Sequence, residues 1–171
     1  MKKAYLLSGE PGSGKTTIIK EVLAKVGKSA GGFYTEEIRS QGIRQGFQIV
    51  TLDGKNATLS HIGIISRHRV GKYGVDTSSM DRVAIPAVRE AIRNCDIVVI
   101  DEIGKMELFS PSFRDAVTEA LESDKRVLGT IMLAPHPWAD GIKRWAEIEI
   151  IRVTKANRSE VVDQVLLWLD Y

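Results

Sequence analysis

The chain has 171 residues, of which 24 are Lys or Arg and 22 Asp or Glu; 43% are apolar and 27% charged. This predicts one globular domain over residues 1–171 that buries a core without staples, and it excludes a disordered chain. A net charge of +2 gives no support to a nucleic-acid partner, and the single cysteine excludes an intrachain disulfide and fits a reducing cytoplasm.

Apolar runs are short, and none approaches the roughly 20 residues that span a bilayer. The N-terminus reads Met-Lys-Lys and runs straight into a strand-like segment, without the apolar core of a signal peptide. No membrane association is expected, and a monomer is the expected state.

In chain order, Ala4 to Ser8 reads as a buried strand, Gly9 to Gly14 as a glycine-rich loop, and Lys15 to Val26 as an amphipathic helix with Gly27 as its C-cap. Gly32 to Arg39, Gly46 to Leu52 and Ala57 to Ile62 are rich in β-branched and aromatic residues and are separated by turn signals. They predict an antiparallel meander, over about 32–62, inserted after the first helix. Ile64 to Ser79 has no clean period and reads as loop. Met80 to Asn94 is helical in pattern, with Pro86 predicting a kink or a late start. Ile97 to Ile100 is a fully apolar strand ending at Asp101-Glu102. Pro111 opens a helix over Ser110 to Leu121. Val127 to Met132 and Ile148 to Val153 are further strands, Pro135 to Trp145 is a short helix, and Asn157 is placed to cap a last helix reaching about Leu169. The alternation predicts an α/β fold, with a mostly parallel sheet flanked by helices.

Gly9-Glu10-Pro11-Gly12-Ser13-Gly14-Lys15-Thr16 matches G-x-x-x-x-G-K-[ST] in full, between an apolar strand and an amphipathic helix. Glycines let the backbone curl so that successive N–H groups form an anion nest, and the positive end of the helix faces the same point. Lys15 is expected to reach the β- and γ-phosphates of a nucleotide, and the Thr16 hydroxyl to meet Mg2+. The strand ending in Asp101-Glu102 supplies the complement. Asp101, at the carboxyl edge of the sheet, is a candidate for holding Mg2+, largely through water. Glu102 is placed to accept a proton from an attacking water. Lys105 is a candidate for stabilising charge on the γ-phosphate, or for pairing with Glu102 or Glu107.

The chain resembles the cancer-related nucleoside triphosphatase family. The resemblance rests on Gly9 to Thr17, Gly32 to Glu37, Gly46-Phe47, Val70 to Val75, Ile100 to Leu108, Gly129-Thr130-Ile131, Val153-Thr154 and Asn157-Arg158. The most specific piece is Asp101-Glu102-Ile103-Gly104-Lys105-Met106-Glu107-Leu108. The resemblance implies a RecA-like P-loop core and Mg2+-dependent hydrolysis of several nucleoside triphosphates to diphosphate and phosphate. It also implies that the segment Val98, Val99, Ile100, Asp101, Glu102, Ile103, Gly104 and Lys105 contributes to the nucleotide site. His136 to Trp145 matches nothing in the family's pattern.

Thr154-Lys155-Ala156-Asn157 is similar to the guanine-reading N/T-K-x-D motif, but asparagine at its last position offers one acceptor and one donor where guanine needs two acceptors. Asn157 and Arg158 are therefore expected near a nucleotide whose base is not strictly selected, with a simple helix cap as the other reading of Asn157. Arg39, Arg44, Arg67 and Arg69 are further candidate transition-state cations, and Gly71 and Gly74 flank a candidate lid. Cys95 reads as a small buried residue, Trp138, Trp145 and Trp168 as packing, and His61, His68 and His136 lack metal-ligand spacing. Glu36-Glu37 is a candidate for approaching Mg2+ or for strand-edge ion pairs. Alongside hydrolysis, the same loop serves a small nucleotide or metabolite kinase, or a nucleotide-dependent switch acting on a protein or RNA partner.

Overall fold

In the computed structural model, which describes residues 1–170, β1 (Ala4–Ser8) leads into α1 (Lys15–Lys25) and then β2 (Ala30–Ser40), β3 (Ile43–Thr51) and β4 (Asn56–His61). A short hairpin follows, β5 (Arg69–Val70) and β6 (Tyr73–Val75), and then a helical stretch made of α2 (Thr77–Ser79), a π-helical turn (Met80–Ala84) and α3 (Ile85–Asn94). The remainder alternates: β7 (Ile97–Ile103), α4 (Pro111–Glu122), β8 (Arg126–Ile131), α5 (Pro137–Lys143), β9 (Ile148–Arg152) and α6 (Arg158–Asp170). The strands form one sheet in the order β5-β6-β4-β3-β2-β7-β8-β1-β9. From β2 to β9 every pairing is parallel; from β2 outward to β5 every pairing is antiparallel.

The apolar runs follow from burial on both sheet faces. Along β7, Ile97 and Val99 pack in one hydrophobic cluster with Ile18, Ile19 and Val22 of α1 and Val162 and Val165 of α6. Val98 and Ile100 point the other way, into a cluster with Val88 of α3, Phe113 and Val117 of α4 and Ile142 of α5. β1 and β8 divide in the same period-two manner, Leu6 and Val127 into the second cluster and Leu7 and Leu128 into the first. Gly27 ends α1 with φ +63°, as a helix C-cap requires. Ser110 caps α4 by accepting from the Phe113 N–H at 3.2 Å. Among the described residues no helix is long and apolar enough to cross a membrane.

Two expectations are corrected and one is refined. The antiparallel meander forms as β2–β3–β4, and its first strand also joins the core sheet, because Ala30 to Phe33 of β2 pair in parallel with Ile97 to Ile100 of β7. Ile64 to Ser79 is not all loop: β6 pairs with β4 through Ser60 opposite Val75 and His61 opposite Gly74, a tertiary pairing too short to leave a period in sequence. Pro86 does not mark the start of the helical stretch; it stands at the head of α3, directly after the π-helical turn. The helix begins earlier, at Thr77, with the Asp76 carboxylate accepting from the Ser78 N–H at 3.1 Å. The Ile85 N–H donates to the Met80 carbonyl, five residues back. The widened turn lies immediately before a proline that has no N–H to give.

Candidate active site

The loop from Gly9 to Gly14 joins β1 to α1 at the carboxyl edge of the parallel strands, where ligands bind in open α/β sheets. Gly14 takes φ +102°, and the Ile18 N–H donates to its carbonyl at 2.9 Å. Its lack of a side chain also admits Arg158 from the start of α6: a Cβ on Gly14 would sit 2.6 Å from Arg158 Nε. That nitrogen donates to the Ser13 carbonyl at 2.8 Å, so the last helix braces the loop from its C-terminal half. Lys15 Nζ donates to the carbonyls of Gly9, at 2.8 Å, and Glu10, at 3.1 Å. Pro11 and Gly12 are exposed, and Glu10 lies 3.8 Å from Arg152. Ser13 Oγ is buried without a protein partner.

β7 brings its acidic end to this loop across β8. Thr16 Oγ1 donates to Asp101 Oδ2 at 2.5 Å, and Thr130 Oγ1, from β8, donates to Asp101 Oδ1 at 2.7 Å. Asp101 is only 3% exposed, and burial pushes its carboxyl above the usual aspartate range against the pull of those two hydroxyls. Glu102 is half-buried, and its carboxyl is raised by burial first and by the neighbouring Asp101 second. β7 and β8 change register between Ile100 and Ile103, around this acidic pair, and the Asp101–Glu102 peptide is cis.

The residues of the predicted site fall into distinct groups. Lys15, Thr16, Asp101 and Glu102 converge, together with the loop backbone and Arg158. Val98, Val99, Ile100 and Ile103 place their side chains fully in the core and carry the acidic pair. Lys105 is exposed and belongs to none of the ion pairs among the described residues, so the expected pairing with Glu102 or Glu107 is absent. Asn157 does not offer its amide to a base. Its Oδ1 accepts from the Thr154 N–H and its Nδ2 donates to the Arg152 carbonyl, both at 2.8 Å, which ties down the loop between β9 and α6. Nor does its side chain cap the helix, although its carbonyl accepts the Val161 N–H.

Glu36 pairs with Lys20 at 3.0 Å, and Glu37 with Arg39 and Arg44, which engages two of the four candidate arginines. Arg69 donates to the Ile64 and Lys72 carbonyls. The expected lid is a hairpin fixed to the sheet: Tyr73 is buried and its hydroxyl accepts from Arg44 Nε at 2.9 Å. Cys95 is half-buried, and burial pushes its thiol upward. Among the described residues, no group of three or more His, Cys, Asp or Glu could hold a metal ion by itself.

Two site residues escaped the sequence reading. Thr130 stood only inside a motif; its signal was a hydroxyl near the end of an otherwise apolar strand. Glu107 stands in sequence inside the most specific run and as a partner for Lys105, yet it is 4% exposed with Oε2 unpartnered.

A family model described as NTPase matches residues 4–166. The Nucleoside-triphosphatase THEP1 of Thermotoga sp. (strain RQ2) is 39% identical over 166 residues, covering 97% of this chain and 95% of that protein. The Cancer-related nucleoside-triphosphatase of Homo sapiens is 39% identical over 184 residues, covering 97% and 96%. The crystal structure of THEP1 from the hyperthermophile Aquifex aeolicus superposes with a TM-score of 0.90 at 37% identity, over 98% of this chain and 99% of that one. The solution structure of the human protein gives a TM-score of 0.83 at 37% identity, over 99% and 97%.

Proposed function

The chain belongs to this NTPase family and is a nucleoside-triphosphatase, and from that premise we propose that it hydrolyses ATP, GTP, CTP and UTP alike, with Mg2+, to the nucleoside diphosphate and phosphate. The observation that carries this reading is the direct hydrogen bond between the hydroxyl of the phosphate-loop helix, Thr16, and the buried carboxylate near the end of β7, Asp101.

The donor set fits Mg2+. Thr16 and Asp101 offer hard oxygen atoms, and Asp101 is buried with no Lys or Arg ion pair among the described residues. A site with few protein ligands suits an ion that keeps much of its water and takes other oxygens from phosphate. When bound, Mg2+ supplies positive charge to the β- and γ-phosphate oxygens.

The chain's own groups supply the rest. The loop N–H groups and the N-terminus of α1 bind and orient the phosphates. Lys15 exchanges its two carbonyl partners for phosphate oxygens. Glu102, made more basic by burial and by Asp101, orients a water in line with the γ-phosphorus. The water oxygen bonds to phosphorus as the bridging β–γ P–O bond breaks, and the water's proton passes to Glu102. Exposed and unpaired, Lys105 is free to approach the γ-phosphate. With the Asn157 amide committed to backbone on both sides, no side chain at that position reads guanine. The lone cysteine fits action in a reducing cytoplasm.

The test is phosphate release from all four ribonucleoside triphosphates, with and without Mg2+, for the unmodified chain and for Glu102→Gln. Comparable turnover of the four, dependence on Mg2+, and a loss of kcat on the order of 100-fold in the variant with nucleotide binding retained are expected. Normal turnover by Glu102→Gln would remove the assigned role of that residue.

A further inference from the structure

Glu107 lies in the short turn after β7, five residues beyond Glu102, and is among the most buried charged-type side chains of the protein, at 4% exposure. Backbone N–H groups of Gly104 and of Glu107 itself face its carboxyl, while Oε2 has no partner. Gly104 shows where that oxygen points. A Cβ added there would meet Glu102 Oε1 at 2.5 Å and Glu107 Oε2 at 2.6 Å. The two carboxyl oxygens therefore crowd the same face of Gly104, in the space a side chain would have filled. No Lys or Arg pairs with Glu107 among the described residues.

A buried carboxyl with no counter-charge and a second carboxyl close by is stable only in its neutral form, which carries an O–H donor. The nearby acceptor without a bonded partner of its own is Glu102. We propose that Glu107 is the positioning residue of the hydrolytic site: its carboxyl O–H reaches across the side-chain-free face of Gly104 to Glu102 Oε1 and holds that carboxylate in line with the attacking water. This rests on the reading of Glu102 given above. The remaining Glu102 oxygen is left to accept from the water. The same placement accounts for glycine at position 104, since a Cβ there would collide with both carboxyl oxygens.

The experiment measures kcat, KM and thermal unfolding for Glu107→Gln, Glu107→Met and Glu107→Asp, with Glu102→Gln in parallel. Glutamine keeps the length, the neutrality and a donor at the same reach, so it is expected to retain kcat within about threefold. Methionine keeps the volume without the donor, and aspartate withdraws the carboxyl by one methylene. Both are expected to lower kcat roughly 10- to 100-fold while KM stays within about threefold, because misplacing a water-orienting group by about 1 Å costs rate and not binding. Should methionine fail to fold, the aspartate and glutamine variants decide the matter between them. Wild-type kcat in the aspartate variant, or equal losses in glutamine and aspartate, overturns the inference. If Glu102→Gln turns over normally, the reading of Glu102 fails and this inference with it; if Glu102→Gln is inactive while the Glu107 variants are normal, only the inference about Glu107 fails.

Discussion

Asp101 and Glu107 are both buried carboxyls, but their surroundings assign them different work. Asp101 accepts two hydroxyl hydrogen bonds, from Thr16 and Thr130, and so is supported as an acceptor where a cation is expected. Glu107 has no side-chain donor, and burial, followed by the charge of Glu102, pushes its carboxyl well above the ordinary glutamate value of 4.5. The folded chain then holds a proton at Glu107 that the unfolded chain has lost, over the window from 4.5 upward to the raised value. Stability is lost as pH rises through that window, since the folded state binds more protons there. Exposed Glu37 and Asp96 act in the opposite sense, because an arginine hydrogen bond lowers the first and Ser29 hydrogen bonds lower the second. Their contribution is lost as pH falls. Glu107→Gln removes one proton-linked group, so its unfolding free energy, from urea titrations between about pH 5 and pH 8, is expected to decline less steeply with pH than that of the unmodified chain.

At the scale of elements, the site depends on α6 as much as on the phosphate loop. Arg158, the first residue of α6, donates to the Ser13 carbonyl and lies against Gly14, which ties the loop to the start of that helix. Replacing Arg158 with Met keeps the apolar stem and removes the donor. A charge-assisted hydrogen bond at an exposed position is worth about 1 kcal/mol. KM for the nucleotide is therefore expected to rise roughly 3- to 10-fold with kcat little changed, measured by initial rates with ATP and GTP. The β5–β6 hairpin illustrates a different point. Its two glycines read as hinges in sequence, but Gly74 pairs with His61 and Arg69 within the sheet, and Tyr73 is anchored on Arg44. Glycine at 74 reflects close packing against the Ile64 carbonyl, and Gly71 takes the positive φ of the turn.

Across the whole molecule, the sheet separates two hydrophobic clusters. The α1–α6 side positions the phosphate loop, and the α3–α4–α5 side supports the acidic strand from behind. Phe113 of α4 is fully buried in the second cluster, with its ring edge-on to Phe33 at a centroid distance of 6.0 Å. Phe113→Ala is expected to cost about 3–5 kcal/mol in urea unfolding. The Phe113 ring carries no polar group and takes part in none of the site's hydrogen bonds, so specific activity per folded molecule is expected to persist at temperatures where the variant stays folded.

Much of this was legible in the amino-acid order. The phosphate loop, the acidic strand end and the alternation of strands and helices are local patterns: a contiguous eight-residue motif, runs of β-branched residues, and helix-bounding residues such as Gly27 and Pro111. The resemblance drawn from those runs agrees with the NTPase family match and with the human and Thermotoga relatives. The tertiary structure alone decided what depends on residues far apart in the chain. It set β8 between β1 and β7, which brings the Thr130 hydroxyl onto Asp101. It joined β2 to the parallel core, extended the sheet with a hairpin too short to show a period, and turned the Asn157 amide toward backbone. It also buried Glu107 beside Glu102. A residue's type and spacing state which hydrogen bonds and charges it can offer; which of them remain unpaired, and therefore available for chemistry, depends on what the fold packs against it.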